Sequence, residues 1–507
     1  MDERFNILIQ ILTPRPLYYP SNSKSEACEK TMSRIRKLVL VSILFNVQPI
    51  FADAIRNIPA DHKQLVFEIY KELIETNTTN SVGDNTLAAN QMASWLVAGG
   101  FSKDEIFIDG KKEGKGNLVT KLHGTGEKEP MILLAHIDVV EAERSDWSID
   151  PFTLLEKDGY YYGRGTLDDK AQAAINVANI IRMKMERFKP NRDIILALTS
   201  DEEGGGNNGV YWLLEHHPDL IDGAFALNEG GFGLMQNGMR IANSIQTAEK
   251  IFQSFKVTAT NPGGHSSIPR SDNAIYELSE ALLNIRDYEF PLIFNDVMRL
   301  GFERLAEISP GQLGRDLNAV LLESPDADAL ERLGNIPSIN ALLRTTAVAT
   351  MLDGGHAPNA LPQTATAIVN VRMMPGSDVK DVLADLIRVV DNPEIEVIHQ
   401  GGGRPSDPSP LTNEILGAVE STTEEMWPGV IVLPTMTTGA TDGAKLRNAG
   451  IPTYGVSGLF VDRNDIRAHG RDERILVKSF YEGYDFMYRL VKKLSSQPQD
   501  VEQERLH

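Results

Sequence analysis

Two uninterrupted apolar runs limit the folds open to this chain: "MILLAHIDVV" at 131–140 and "RDIILALTSDEEGGG" at 192–206. A strand with one wet face alternates apolar and polar residues, so a run without alternation has to be covered on both sides. Both runs lead into histidine, carboxylates or glycine. Between them, "AQAAINVANIIRMKMERF" at 171–188 carries a helical pattern, as does "HKQLVFEIYKELIE" from His62. Buried strands alternating with helices predict a doubly wound α/β sheet whose sites collect at the carboxyl ends of its strands. His136, Asp168, Glu202, Glu203 and Glu229 stand just after such runs or in the loops they open.

The texture changes after Glu249. "IFQSFKVTATNPGGHSS" alternates as a strand with one covered face, helices are predicted over 272–286 and 292–307, and two further strands over 341–355 and 363–376. This order predicts a smaller α+β unit inserted into the first, ending near Gly403, where "GGGRPSDPSP" reads as a linker. A strand in "GIPTYGVSG" and an amphipathic helix in "RILVKSFYEGYDFMYRLVKKL" then resume the α/β pattern. The expected divisions are 55–248 and 403–494 for the first unit, 249–402 for the insert, and a disordered tail at 495–507.

The N-terminal stretch "MSRIRKLVLVSILFNVQPIFADA" has a basic start, an apolar centre and an Ala52-x-Ala54 end, the parts of a secretory signal. Residues 1–54 are therefore read as an upstream extension plus signal, with Met32 a second candidate start, and the mature chain as exported. The stretch is too short and interrupted to span a bilayer comfortably, so no stable span is expected once it is cleaved. The single cysteine, Cys28, precedes it. A formal charge of −20 at pH 7 argues against nucleic acid or an anionic membrane surface as partner.

Histidine and carboxylate are ligand types for a catalytic zinc ion. His136, Asp168, Glu203, Glu229 and His469 supply two imidazoles and three carboxylates, enough for two ions if one carboxylate bridges. Asp138 has the right type and spacing to accept the other ring N–H of His136. In the pair Glu202–Glu203, one carboxylate can ligate while its neighbour moves a proton between water and a leaving nitrogen.

"LLAHIDVV", "WSIDPFTLLEKDGYYYGRGTLDDK", "TSDEEGGGNNG", "LNEGG", "NPGGHSS" and "AHGRDERI" resemble, in order and spacing, the co-catalytic zinc exopeptidase and aminoacylase family that includes glutamate carboxypeptidase, aminoacylase and carnosinase. The resemblance spans about residues 60–490. It is nearest the carboxypeptidase S branch, which also holds N-fatty-acyl-amino-acid hydrolases. It implies a mixed-sheet catalytic domain carrying two Zn2+ per chain, with Co2+ or Mn2+ as other ions such ligands accept, and an inserted lid and dimerisation domain. It makes Asp168 the bridge, His136 and Glu229 ligands of one ion, Glu203 and His469 ligands of the other, Glu202 the general base and acid, and Asp138 the residue that orients His136.

The resemblance also implies a cis peptide between Asp168 and Asp169. His265 would reach a partner subunit's site to stabilise an oxyanion, and Asn359 and Arg372 would hold the substrate's backbone or carboxylate. One departure is Glu141, where the branch usually has proline; the loop "GATDGAKL" at 439–446 matches a substrate-side loop. The implied protein is an exported homodimeric amidohydrolase that cleaves an amide next to a free carboxylate, as a carboxypeptidase of short peptides. A second substrate class is an N-acyl or N-fatty-acyl amino acid, and a third reading is a catalytically silent binding protein on the same fold. Closure of the insert would place hinges near Glu249 and Gly403.

Overall fold

The structure, a computed structural model, describes residues 60–204 and 206–496. The expected signal segment, and the tail beyond residue 496, lie outside the described residues.

The larger sheet has ten strands. The order across it is Phe107–Gly110, Gly116–Leu122, Ile194–Thr199, Met131–His136, Phe225–Asn228, Thr453–Gly455, Met239–Glu249, Gly233–Gln236 and Phe460–Asp462, with Ile431–Thr437 also pairing with Met239–Glu249. It is mixed: Met131–His136 runs parallel to both of its neighbours, whereas Gly116–Leu122 is antiparallel to Ile194–Thr199. The two apolar runs are thus adjacent central strands, and their side chains divide by parity. Met131, Leu133 and Ala135 enter one core with helices Ala60–Glu75, Lys170–Met185 and Val477–Ser495. Ile132 and Leu134 enter a second core on the opposite face, against helix Gly209–His216. Coverage of both faces explains the lack of alternation.

The second sheet is antiparallel, ordered Thr346–Gly354, Thr364–Met373, Ile251–Thr260 and Ile395–Gly402. Here period-2 patterning holds: Phe255, Val257, Val369 and Val371 face a core closed by helices Ala274–Asp287 and Val379–Val390. The other face of this sheet is not part of that core. Only Lys250 separates strand Met239–Glu249 of the large sheet from Ile251–Thr260 of the small one. Four more helices, Asp296–Ile308, Gln312–Ala319, Ala327–Gly334 and Pro337–Leu343, form a third core that includes Ala248, Met374 and Met436, so it lies against the crossing between the sheets.

The crossing is held from both sides. The buried Glu249 carboxylate pairs with Arg447 and accepts from Thr441, both of the larger unit. Its neighbour Lys250, fully buried, donates to the carbonyls of Ala341 and Arg344 at the end of the last of these helices.

Candidate metal centre

Four of the expected site residues stand at or just after the ends of three adjacent parallel strands. His136 ends Met131–His136, Glu202 and Glu203 follow Ile194–Thr199, and Glu229 follows Phe225–Asn228. Strand ends on one edge of a parallel sheet bring residues distant in sequence together. After Glu229 the chain needs glycine. Gly230 has φ of +99°, where a Cβ would lie 1.7 Å from Gln246 Oε1, and a Cβ on Gly231 would lie 2.0 Å from the Gly455 carbonyl oxygen. Asp168 and His469 arrive on loops from elsewhere. The Asp168–Asp169 peptide is cis, and His469 and Asp201 occupy the left-handed region at φ of +61°.

The donor atoms converge. His136 Nε2 lies 3.1 Å from Asp168 Oδ1 and 3.8 Å from Glu229 Oε2. His469 Nε2 lies 3.1 Å from the other Asp168 oxygen and 2.8 Å from Glu203 Oε1. Asp168 therefore turns one oxygen to each histidine. Ligand atoms of His136, Glu202 and Glu229 fall within 4.8 Å of one another, as do those of His136, Asp168 and Glu203.

The hydrogen-bond chemistry of the cluster fits a cation. His136 Nδ1 is 3.0 Å from the Asp138 backbone carbonyl, which can only accept, so Nδ1 carries a proton and Nε2 faces the Asp168 and Glu229 carboxylates; burial alone would lower the proton affinity of the ring, but the Glu229 charge and the bonds with Asp138 and Asp168 raise it well above the ordinary histidine value. Glu203 Oε1 is buried, and the group facing it is the His469 ring nitrogen at 2.8 Å. Carboxylates gathered in a buried site need positive charge among them, and a cation beside the two rings would supply it.

The proton affinities express the same excess of negative charge. Burial raises Glu229 to about 7, only partly offset by His136. Glu202 is held well above the usual carboxylate range by burial, then by Asp442 and Glu229. The Asp168 and Glu203 carboxylates push His469 up to about 10. Asp168 itself lies well below its ordinary value: burial alone would raise it, but its bonds to the two histidines outweigh that.

Asp138 has more partners than the histidine its spacing predicts. Its carboxylate is 3.6 Å from His136 Nδ1, and its oxygens accept the backbone amides of Glu202 at 3.1 Å and Glu203 at 3.0 Å. It contacts the ring through its carbonyl and anchors the acidic loop through its side chain. Glu141 also finds a partner: both carboxylate oxygens accept from Ser81, its amide at 2.9 Å and its hydroxyl at 2.8 Å. Thr79 bridges to Val139 and Asn80 accepts from Lys115, so Glu141 secures segment 77–84 beside the strand that ends in His136.

His265 and Asn359 are neighbours on another element. Gly264–His265 pairs with Ala360–Leu361, the Ser266 amide donates to the Asn359 carbonyl, and both residues are exposed. Neither is among the groups that contact the acidic cluster. Arg372 lies on the small sheet opposite Phe252, its guanidinium over that ring at 5.2 Å, with no carboxylate in ion-pair distance among the described residues.

Sequence reasoning left Asp442, Lys445 and Glu473 unassigned. Asp442 accepts from Asn208 at 2.7 Å and pairs with Lys445 at 2.9 Å, and the Lys445 ammonium is 3.9 Å from Glu202. The signal for Asp442 and Lys445 was the "GATDGAKL" loop, whose residues are not separable by type alone, and Glu473 stood in "AHGRDERI" four residues after His469.

A mixed α/β sheet with paired histidines bridged by one aspartate at its carboxyl edge defines a metal-dependent hydrolase. Residues 132–493 match the model of Peptidase family M20/M25/M40, and the chain belongs to that family. It is 30% identical over 393 residues to a probable carboxypeptidase S-like 2 of Dictyostelium discoideum, covering 74% of each chain. It is 31% identical over 374 residues to the N-fatty-acyl-amino acid synthase/hydrolase PM20D1 of Xenopus tropicalis, covering 72% of each. The M20 family metallo-carboxypeptidase Sso-CP2 from Sulfolobus solfataricus shares the fold with a TM-score of 0.63 at 15% identity, over 85% of this chain and 99% of that one. The protein is thus a hydrolase of peptide or amide bonds in a metal-dependent family, with the clusters around His136 as candidate ligands.

Proposed function

We propose that this protein is an exported dizinc amidohydrolase that cleaves an amide next to a free carboxylate. The observation that carries the reading is Asp168, with one oxygen on the His136 side and the other on the His469 side, each at 3.1 Å. His136 and Glu229 would hold one ion, Glu203 and His469 the other, with Asp168 shared. Bound there, two divalent ions supply Lewis acidity to a carbonyl oxygen and make water more acidic. Glu202, beside the cluster and mostly buried, takes the proton of the attacking water and returns it to the leaving nitrogen. Arg372, half-buried and free of a carboxylate partner, receives the substrate carboxylate. His265, exposed and apart from its own chain's cluster, is assigned to the oxyanion of a partner subunit, and Asn359 beside it to the substrate backbone.

A homodimer is supported by strand Thr346–Gly354, an edge strand that among the described residues pairs only with Thr364–Met373 and that exposes Val348, Met351 and Leu352. Long apolar edges of this kind are normally covered. Export rests on the segment ending at Ala54, and among the described residues no helix is long and apolar enough to cross a membrane.

A carboxypeptidase of short peptides and an N-acyl amino acid hydrolase share this chemistry. One observation favours the second. By strand register, Phe252, Ile368, Ile398, Val348 and Met351 lie on the same open face of the small sheet as Arg372, interleaved with Ser254, Lys256 and Asn370, and offer apolar contacts to an acyl chain. The test is a panel of free-carboxylate and C-terminally amidated substrates with graded acyl lengths, run on wild type and Glu202→Ala beside zinc analysis. Two zinc ions per chain and hydrolysis lost in Glu202→Ala are expected; full metal with no turnover on any substrate sinks the reading in favour of a silent binding protein.

A further inference from the structure

Glu473 lies in the same loop as His469 and its side chain is completely buried. Its carboxylate receives four donors, two on each oxygen. Oε2 accepts from Arg164 Nη1 at 2.7 Å and the Gly165 amide at 3.2 Å; Oε1 accepts from the Leu167 amide at 2.7 Å and the Asp168 amide at 3.1 Å. The segment that carries Asp168 is therefore wrapped around one side chain of the loop that carries His469. Two more bonds close the same junction: the Gly163 amide donates to the Glu473 carbonyl at 3.1 Å, and Arg164 Nη2 reaches the His469 carbonyl at 3.4 Å. Just beyond, Arg474–Leu476 pairs antiparallel with Tyr160–Tyr162, so the clamp sits at the ladder end nearest the ligands.

The residue type matters here. An ionised carboxylate only accepts, so it alone meets four donors without opposing any of them; a carboxamide would turn its NH2 against two N–H groups. Asp168 and His469 come from loops with no covalent neighbour in common, yet their ligand atoms stand 3.1 Å apart. A shared carboxylate that binds the Asp168 amide from within the His469 loop fixes that separation.

We propose that Glu473 is a positioning residue for the metal pair: by clamping the Asp168 segment to the His469 loop it sets the affinity of the ion those two residues share. The inference rests on the two-metal reading. Its test uses the apo form of the full chain, with zinc affinity from competition against a chromogenic chelator, zinc per chain after dialysis, thermal melting, and kcat and KM. Glu473→Gln should weaken that ion about 10- to 100-fold, the range typical of groups that hold ligands in place. Stoichiometry at limiting zinc should fall from two toward one, with kcat restored by added zinc and KM little changed. Asp316→Asn is the control, because Asp316 is another buried acid bound to an arginine, Arg332, in the helical insertion; it should lose stability and keep both zinc affinities.

Glu473→Asp keeps the charge on a shorter stem and serves as the second variant should Gln fail to fold. Its carboxylate reaches fewer of the four donors, so the ion shared by Asp168 and His469 should also bind less tightly. A folded Glu473→Gln or Glu473→Asp with two ions at wild-type affinity overturns the proposal while leaving the two-metal reading intact. A wild-type protein that never takes up two ions overturns both.

Discussion

Replacing Asp138 by asparagine tests what that residue does. In the structure its carboxylate accepts the amides of Glu202 and Glu203 at 3.1 and 3.0 Å, in a position only 2% exposed. Asparagine keeps one oxygen and turns an NH2 toward the other amide, so one charge-assisted bond is lost and a buried donor is left without an acceptor. Hydrogen bonds to charged groups contribute about 1.5–3 kcal/mol. If that restraint is fully felt when Glu202 moves its proton, kcat falls by about 10- to 150-fold, at 1.36 kcal/mol per decade. The His136 ring keeps its contact, because it rests on the Asp138 carbonyl at 3.0 Å, which the substitution leaves in place. The assay is steady-state kinetics on zinc-saturated protein beside a melting curve. A folded Asp138→Asn enzyme with kcat within threefold of wild type would falsify the view that this carboxylate holds the acidic loop.

Arg372→Met should raise KM for free-carboxylate substrates about 10- to 100-fold through loss of a charge-assisted contact, and leave C-terminal amides unaffected; equal effects on both remove Arg372 from the carboxylate site. Leu386→Ala, at a fully buried position packed in the small sheet's core, should cost about 2–5 kcal/mol in denaturant unfolding with zinc content unchanged. A cost below about 1 kcal/mol contradicts the packing described. Lys250 is pushed down to about 7 by burial, then by repulsion from Arg372, against about 10.4 in an unfolded chain. Between those values the unfolded chain holds a proton that the folded one sheds, so the Lys250 contribution is complete above the unfolded value and fades as pH falls toward 7. The melting temperature of wild type minus that of Lys250→Met should therefore rise from pH 7 to pH 9, and a flat or falling difference refutes it. Leu352→Lys places charge on the exposed edge strand and should shift a dimer toward monomer in light scattering, with the melting curve preserved.

The parts of this protein legible in its sequence are those that depend on local pattern and residue type. The unbroken runs around Leu133 and Leu196 identified central strands, because a strand covered on both faces has no position for a polar residue. The ligand types at His136, Asp168, Glu203, Glu229 and His469, and the alternation from Ile251 onward, were readable for the same reason. Strand Met239–Glu249 was not. It buries Asn243, Ser244, Gln246, Thr247 and Glu249, so no apolar periodicity marks it, and its burial follows from pairing with Ile431–Thr437 nearly two hundred residues later.

The partners of single carboxylates were equally hidden. Asp138 lies two residues from a histidine, yet its side chain holds amides 64 and 65 positions away; Glu141 meets Ser81; and Glu473 gathers its donors from 305 to 309 positions upstream. Types and spacings along the chain determined that a two-metal site could be built and which residues could ligate. The tertiary structure alone decided which carboxylates converge at the candidate site and which ones hold the backbone still, because a buried acid takes whatever donors folding brings to it.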